Sequence, residues 1–444
     1  MTIVTRFAPS PTGRLHVGNV RAAIHNWLWA RKHGGQFLLR IDDTDAARSE
    51  EAFVAAIRAD LDWLGLAPDA EVRQSARFDL YEARFGELAA AGRVYPAYET
   101  PQELDLKRKI LLGRGLPPVY DRAALRLSDA DRAKLDADGV KPHWRFRLDH
   151  AAPIAWDDLI RGAQQFEPST MSDPVVRRAD GSWLYLLPSV IDDIDMSVSH
   201  IVRGEDHVSN TAAQVQMFDA LDAAPPVFAH EALLTGAEGK LSKRLGSLGV
   251  DHFREAGIEP VAIVALLARL GTSDPIEPFV TTEPLVASFD FARFGRAPAR
   301  FDEGELAVLS AKIVHQLDHA TVADRLPPGM DEAAWQVVRP NLERVADAAD
   351  WWAVIEGPIA PEIDPADRAF LVEAARLADA IDWSSDPWHA ITGALKEATG
   401  RKGRALFLPL RRALTGRDHG PDMAALLPLI GRGRALERLA SAAA

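Results

Sequence analysis

Cysteine is absent from all 444 residues. That excludes disulfides, thiolate metal sites and cysteine nucleophiles. No stretch approaches the roughly 18 consecutive apolar residues a membrane-spanning helix needs. The opening Met1-Thr2-Ile3-Val4-Thr5-Arg6 lacks the apolar core of a secretory signal. Internal repeats and low-complexity segments are missing too. A cytoplasmic, reducing setting without membrane association is therefore expected. What remains is ordinary for a globular chain, 47% hydrophobic and 26% charged. At about 100–200 residues per domain, two to four domains are expected.

A formal net charge of −13 argues, taken over the whole chain, against a polyanionic partner. Its distribution is uneven. From Arg401 to Ala444 there are nine basic residues against three acidic ones, a local net of +6. Such an end fits either one contact with a polyanion or arginines decorating helix C-termini.

Up to about Tyr81 the chain alternates strand and helix. A strand at Ile3–Phe7 precedes a helix from Val17 to His33, with Gly34-Gly35 placed to end it. "QFLLRI" reads as a buried strand. "SEEAFVAAIRADLDWLGL" reads as a helix with Ser49 as N-cap. This rhythm implies a parallel sheet covered by helices. It breaks between about Glu82 and Asp180, where strand-like "HWRFRLD", "PIAWDDLIRG" and "PVVRRADGSWLYLL" suggest an α+β insertion with a tight turn on Asp180-Gly181. Sheet character returns with "SHIVRGEDH". Beyond about Phe253 the chain reads as helical, with Asp364-Pro365 and Asp386-Pro387 as helix starts.

Two stretches carry chemistry. "RFAPSPTGRLHVGN" runs from strand through a proline-stiffened turn to a helix start, a setting suited to phosphate. Neither Gly-x-Gly-x-x-Gly nor a Gly-rich loop ending in Gly-Lys-Ser/Thr occurs there. Gly18 permits close approach of a base or phosphate, while His16 and Asn19 can donate hydrogen bonds. Gripped in this way, ATP would keep its α-phosphorus open to attack. More than two hundred residues later, "LTGAEGKLSKRLGSLGV" sets Lys240, Lys243 and Arg244 on a glycine-hinged loop, which fits a mobile triphosphate clamp. Taken singly, each stretch also fits a plain turn or a solvated charge cluster.

Together they point to a family. "HVGN" resembles the His-Ile-Gly-His signature of class I aminoacyl-tRNA synthetases, and "KLSKR" resembles their Lys-Met-Ser-Lys-Ser loop. "RFAPSPTGRLHVGN", "RIDDTD", "IVRGEDH" and "KLSKR", in this order, resemble the bacterial glutamyl-tRNA synthetases. The likeness is specific through about Val250 and weaker beyond.

The resemblance implies a Rossmann-like α/β catalytic domain, split over residues 1–81 and 181–240, with an α+β insertion at 82–180 for the tRNA acceptor end. A stem-contact region at 241–305 and an all-α anticodon-binding region at 306–444 follow. It implies activation of L-glutamate by ATP and transfer to tRNA(Glu), with Mg²⁺ arriving on ATP and the protein a monomer. The ATP-binding residues would be Pro9, Thr12, His16, Gly18, Asn19 and Lys243, of which His16 and Lys243, with Lys240, would act in catalysis. Glutamate would meet Arg6, Ser10, Asp42, Tyr185 and Arg203, two arginines suiting two carboxylates.

Several positions depart from the family pattern. Asn19 replaces the second signature histidine, Asp42 stands where glutamate is usual, and Ser189 where asparagine is frequent. Ala97 and Glu99 occupy the place of a Cys-x-Cys zinc pair, so no zinc is expected. In the helical half, an arginine associated with insisting on cytosine at the third anticodon base aligns within "VVRPNLERV", at Asn341 or Arg339. Arginine donors oppose guanine's donors, whereas asparagine offers both donor and acceptor. Asn341 thus extends the expected partners to tRNA(Gln). Shorter paralogues that lack an anticodon-binding half, and relatives with C-terminal β-barrels, fit this long helical tail poorly.

Overall fold

The computed structural model describes residues 2–236, 239–240 and 248–444, with backbone alone for 239–240. The chain opens on β1 (Val4–Phe7), all four residues of which are buried. Strands covered on both faces are continuous apolar runs, as β2 (Gln36–Ile41) is from Phe37 to Leu39. With β3 (Ala70–Arg73) they pair in parallel through helices α1 (Val17–Lys32) and α2 (Glu51–Trp63). Next come α3 (Phe78–Ala90), β4 (Val94–Ala97), α4 (Pro101–Gly113), α5 (Asp129–Ala137), β5 (His143–Phe146), β6 (Ile154–Asp158), β7 (Gly162–Phe166) and β8 (Val175–Arg177). The chain then forms α6 (Leu186–Asp195), β9 (His200–Gly204), α7 (Val208–Ala220), β10 (Val227–Glu231), β11 (Leu234–Gly236) and β12 (Gly239–Lys240).

The main sheet runs β3-β2-β1-β9-β10-β6-β7. From β1 the chain first builds outward on one side and later returns, at β9, on the other. The carboxyl ends of β1 and β9 therefore form the crevice in which open α/β sheets bind ligands. The fold is the α/β, Rossmann-like arrangement expected, followed by a helical C-terminal region.

Two local expectations need correction. The hairpin β6–β7 falls within residues 82–180, expected as the insertion, yet β6 pairs in parallel with β10 and extends the main sheet. Its docking depends on partners distant in sequence. The Asp158 carboxylate accepts the backbone N–H of His230, and Trp156 meets the edge of Phe228 while stacking on Phe166. Only β4, β5 and β8 form the separate antiparallel sheet. In the second case Ser49 does not cap α2, for the N-cap is Glu50 and makes no side-chain cap bond. The backbone supplies the anchor instead, with the Glu50 N–H donating to the Pro11 carbonyl at 3.1 Å. The Asp180-Gly181 turn is present, with Gly181 at φ 87° and Arg177 bridged to Trp183.

The chain divides into two compact units. The first comprises Met1–Arg254, Ile263–Glu277 and Thr281–Asp302, and the second Glu255–Ala262, Pro278–Val280 and Glu303–Ala444. Within the second, Asp364 accepts the Ala366 N–H and Asp386 the His389 N–H, so both Asp-Pro helix starts are present. Trp335, fully buried there, donates its indole N–H to the Leu317 carbonyl. Among the described residues no helix is long and apolar enough to cross a membrane.

Candidate active site

A cavity of about 770 Å³ opens at the crevice, lined by Arg6, Phe7 and Ala8 from the end of β1 and by Val202, Arg203 and Gly204 from the end of β9. His16, Gly18 and Asn19 reach it from the start of α1, Asp42 from the end of β2, and Tyr185 and Ser189 from α6 and its approach. Seven predicted residues, Arg6, His16, Gly18, Asn19, Asp42, Tyr185 and Arg203, thus share one cavity. Pro9, Ser10 and Thr12 are not among its lining, and Ser10 and Thr12 are exposed on the neighbouring turn. Lys243 lies outside the described residues, as does the side chain of Lys240.

The start of α1 is built by reciprocal capping. His16 Nδ1 accepts the Gly18 N–H at 3.1 Å, and Asn19 Oδ1 accepts the His16 N–H at 2.7 Å. Asn19, the departure from the signature, therefore serves as the third-residue member of a capping box. A side chain at position 18 would lie 2.9 Å from the His16 ring, so the glycine also makes room for the cap. Burial lowers the His16 pKa and keeps the ring neutral. With Nδ1 accepting, the ring proton sits on Nε2, a neutral donor beside a helix N-terminus.

Three arginines converge from adjacent strands. Arg40, which the sequence reading overlooked, is almost fully buried and grips Asp42 in a fork, at 2.7 and 3.1 Å. It also donates to Asp193 at 2.8 Å and to the Ser189 hydroxyl at 3.1 Å. Burial raises the Asp42 pKa, opposed by this same guanidinium. Arg6 shares Asp193, at 3.2 and 3.5 Å. Arg6 thus pairs with Asp193, while Arg40 holds Asp42.

Arg203 differs from both. Its Nη2 donates to Thr211 Oγ1 at 2.5 Å and Gln214 Oε1 at 2.6 Å, and its Nε lies 3.4 Å from His230 Nε2. All three acceptors are neutral, and among the described residues Arg203 makes no ion pair. Burial first, then the Arg6 charge, lower its pKa to about 10, so it still carries its charge at neutral pH. The His207 ring meets Tyr185 at right angles, and burial followed by the Arg203 charge pushes this histidine down to about 4.

Elsewhere the predicted residues are scattered. Ala97, in the place of the zinc pair, is buried against Tyr95 and Ala124, and Glu99 accepts the Tyr120 hydroxyl at 2.9 Å. In the second unit Asn341 is exposed at the end of a short helical turn, whereas Arg339 is tied to the Leu317 carbonyl at 2.7 Å.

Such a crevice, with a capped helix start and buried cations on its wall, is that of a nucleotide-using enzyme. Residues 2–308 match the family described as tRNA synthetases class I (E and Q), catalytic domain, and residues 323–443 match an anticodon binding domain. The chain belongs to the class I tRNA synthetases of this E and Q group. It is 72% identical over 443 residues to glutamate–tRNA ligase 2 of Sphingopyxis alaskensis, covering 100% of this chain and 99% of that one. Glutamate–tRNA ligase 1 of Rhizorhabdus wittichii is 68% identical over 441 residues, 99% of this chain and 100% of its own. Among solved structures, a glutamate tRNA ligase from Elizabethkingia meningosepticum in complex with its amino acid superposes with a TM-score of 0.87 at 26% identity, covering 100% and 99% of the two chains.

Proposed function

We propose that this chain is a glutamate–tRNA ligase, and the observation that carries the reading is Arg203. A buried guanidinium with only neutral partners, on the wall of a cavity, calls for an anionic ligand group, and a glutamate side chain supplies one. A carboxylate oxygen of glutamate attacks the α-phosphorus of ATP and pyrophosphate leaves. A hydroxyl of the terminal tRNA adenosine then attacks the acyl carbon and releases AMP. Catalysis consists of orienting the reactants and stabilising charge. His16 Nε2 donates to the phosphates at the head of α1, next to Gly18 and Asn19, with Pro9 and Thr12 shaping the turn. Lys243, supported by Lys240, neutralises the departing pyrophosphate, and Mg²⁺ enters with ATP. Arg6, Ser10 and Tyr185 complete the amino-acid pocket, and Asp42 receives the ammonium group. The enzyme works as a cytoplasmic monomer.

ATP–pyrophosphate exchange, run with glutamate or glutamine in the presence of tRNA, tests this directly. Glutamate should be preferred by more than about a hundredfold, because a neutral amide leaves the buried guanidinium unpaired. Equal activation of glutamine would overturn the substrate assignment.

The tRNA choice is the finer part of the reading. Asn341 is exposed and its amide can turn to suit cytosine or guanine, so both glutamate and glutamine tRNAs are charged. Aminoacylation of the two purified tRNAs decides this. Glutamylation confined to tRNA(Glu) refutes the role given to Asn341.

A further inference from the structure

Behind Arg203 lies a chain of buried side chains that reaches β6, the strand next to the sheet edge. Asp158 ends β6, and its carboxylate is fully enclosed. Oδ1 accepts the backbone N–H groups of Ile160, Arg161 and His230, at 3.0, 2.9 and 3.1 Å. Oδ2 takes His230 Nδ1 at 2.5 Å. Burial works to raise the Asp158 pKa, but these donors prevail and hold it below the usual carboxylate range. An acceptor-only carboxylate fixes the proton of His230 on Nδ1. Burial keeps that ring neutral, so Nε2 carries a lone pair. The Thr211 hydroxyl has two acceptors in reach, this nitrogen at 2.8 Å and the His207 carbonyl at 3.2 Å, and its one proton goes to the nearer. The oxygen of Thr211 is then left to accept from Arg203 Nη2.

Each link thus sets the direction of the next. Nη2 is consumed by Thr211 and Gln214, and Nε faces His230. Among the described residues Nη1 has no partner, and it is the edge left to the cavity that Arg203 lines.

We propose that Asp158, His230 and Thr211, with Gln214, form a positioning relay that aims Arg203 into the cavity without neutralising it, and so sets the preference for a carboxylate over an amide in the amino-acid substrate. The inference rests on the glutamate-activating function proposed above. Neutrality of the acceptors is the essential feature. A carboxylate among them would pair the guanidinium internally and remove its demand for an anionic ligand.

Full-length variants in tRNA-supported pyrophosphate exchange test the relay. Thr211→Val, which keeps the shape and removes the hydroxyl, should raise the glutamate KM by about tenfold or more, the usual worth of a hydrogen bond to a charged group. Its kcat and its KM for ATP should stay within about threefold, as expected for loss of uniform binding. Thr211→Ser should restore the parent KM. Gln214→Glu, nearly isosteric, should lower the ratio of glutamate to glutamine activation by about tenfold or more. Thermal unfolding of each variant separates folding from function. An unchanged glutamate KM in Thr211→Val, together with an unchanged ratio in a folded Gln214→Glu, overturns the relay alone. A parent enzyme inactive with glutamate overturns the functional reading and the relay with it.

Discussion

His16 caps α1, and a substitution separates that cap from the phosphate role proposed for the ring. As a cap its ring nitrogen satisfies the Gly18 N–H, so His16→Ala should cost about 1 kcal/mol of stability. As a phosphate donor its loss should slow adenylate formation by about 10²–10³-fold. His16→Asn keeps a cap acceptor, and should recover the stability without the rate. Urea unfolding and exchange kinetics on the two variants check both halves. Arg40 is the contrasting case. Removing it by Arg40→Met would strand Asp42 and Asp193 in the interior, and breaking a buried pair in this way costs about 3–5 kcal/mol. Histidine titration supplies a further test. His16, His200, His207 and His230 all have pKa values lowered chiefly by burial, His207 to about 4. Below about pH 6.5 the unfolded chain therefore binds protons that the folded one still refuses. Stability should fall as pH drops from 6.5 toward 4. A urea midpoint that stays flat or rises between pH 7 and 5.5 contradicts neutral histidines at these sites.

Helix α1 ends where the chain must turn sharply back into β2. Gly34 takes φ 61°, and Gly35 donates its N–H to the Ala30 carbonyl at 2.8 Å. A Cβ on Gly35 would lie 2.2 Å from the Ile3 carbonyl oxygen, inside the backbone of the segment leading to β1. Gly35→Ala should therefore destabilise the protein by about 1–3 kcal/mol through overpacking, whereas an exposed glycine such as Gly86, with nothing near its missing Cβ, should tolerate alanine. Thermal unfolding of the two variants gives the comparison. This helix was legible in the sequence, since its start and stop are written in adjacent residues. So was β2, whose apolar run from Phe37 to Leu39 marks a strand buried on both faces. The hairpin β6–β7 was not, for its place beside β10 is decided by a partner strand some seventy residues away. In the candidate site the same division holds. Arg40 near the end of β2 and Asp42 just past it stand two apart, the spacing that puts extended residues on one face, a signal present in "RIDDTD". Asp193, which joins Arg40 to Arg6, comes from α6, and no local pattern announces it.

Across the second unit, the basic end of the sequence takes on a different meaning. Its net of +6 fits either a contact with a polyanion or arginines decorating helix C-termini, and most of these charges have internal partners. Arg401 pairs with Asp367, Arg412 with Asp418, Arg432 with Asp379 and Arg434 with Glu356. Arg438 is buried and donates to the carbonyls of Leu414, Val354, Ile355 and Gly357. Arg411 reaches the Pro421 carbonyl, and Arg417 lies over the Trp351 ring. Lys402 and Arg404 are exposed, and among the described residues neither has a carboxylate within ion-pair distance. An arginine that binds a phosphate must first give up its internal acid, which offsets much of the gain, whereas Lys402 and Arg404 need give up nothing. The expectation follows from counterion release, which contributes about 0.7–0.9 to the slope of log affinity against log salt for each phosphate neutralised. If this end meets tRNA, Lys402→Gln with Arg404→Gln should flatten that slope by about 1.5, and Arg412→Gln with Arg434→Gln should leave it nearly unchanged. Titrating tRNA(Glu) binding across a salt series reads both slopes. A larger change from the paired arginines than from the exposed residues would mean that their ion pairs open on binding, and would reverse this assignment of the RNA-facing charges.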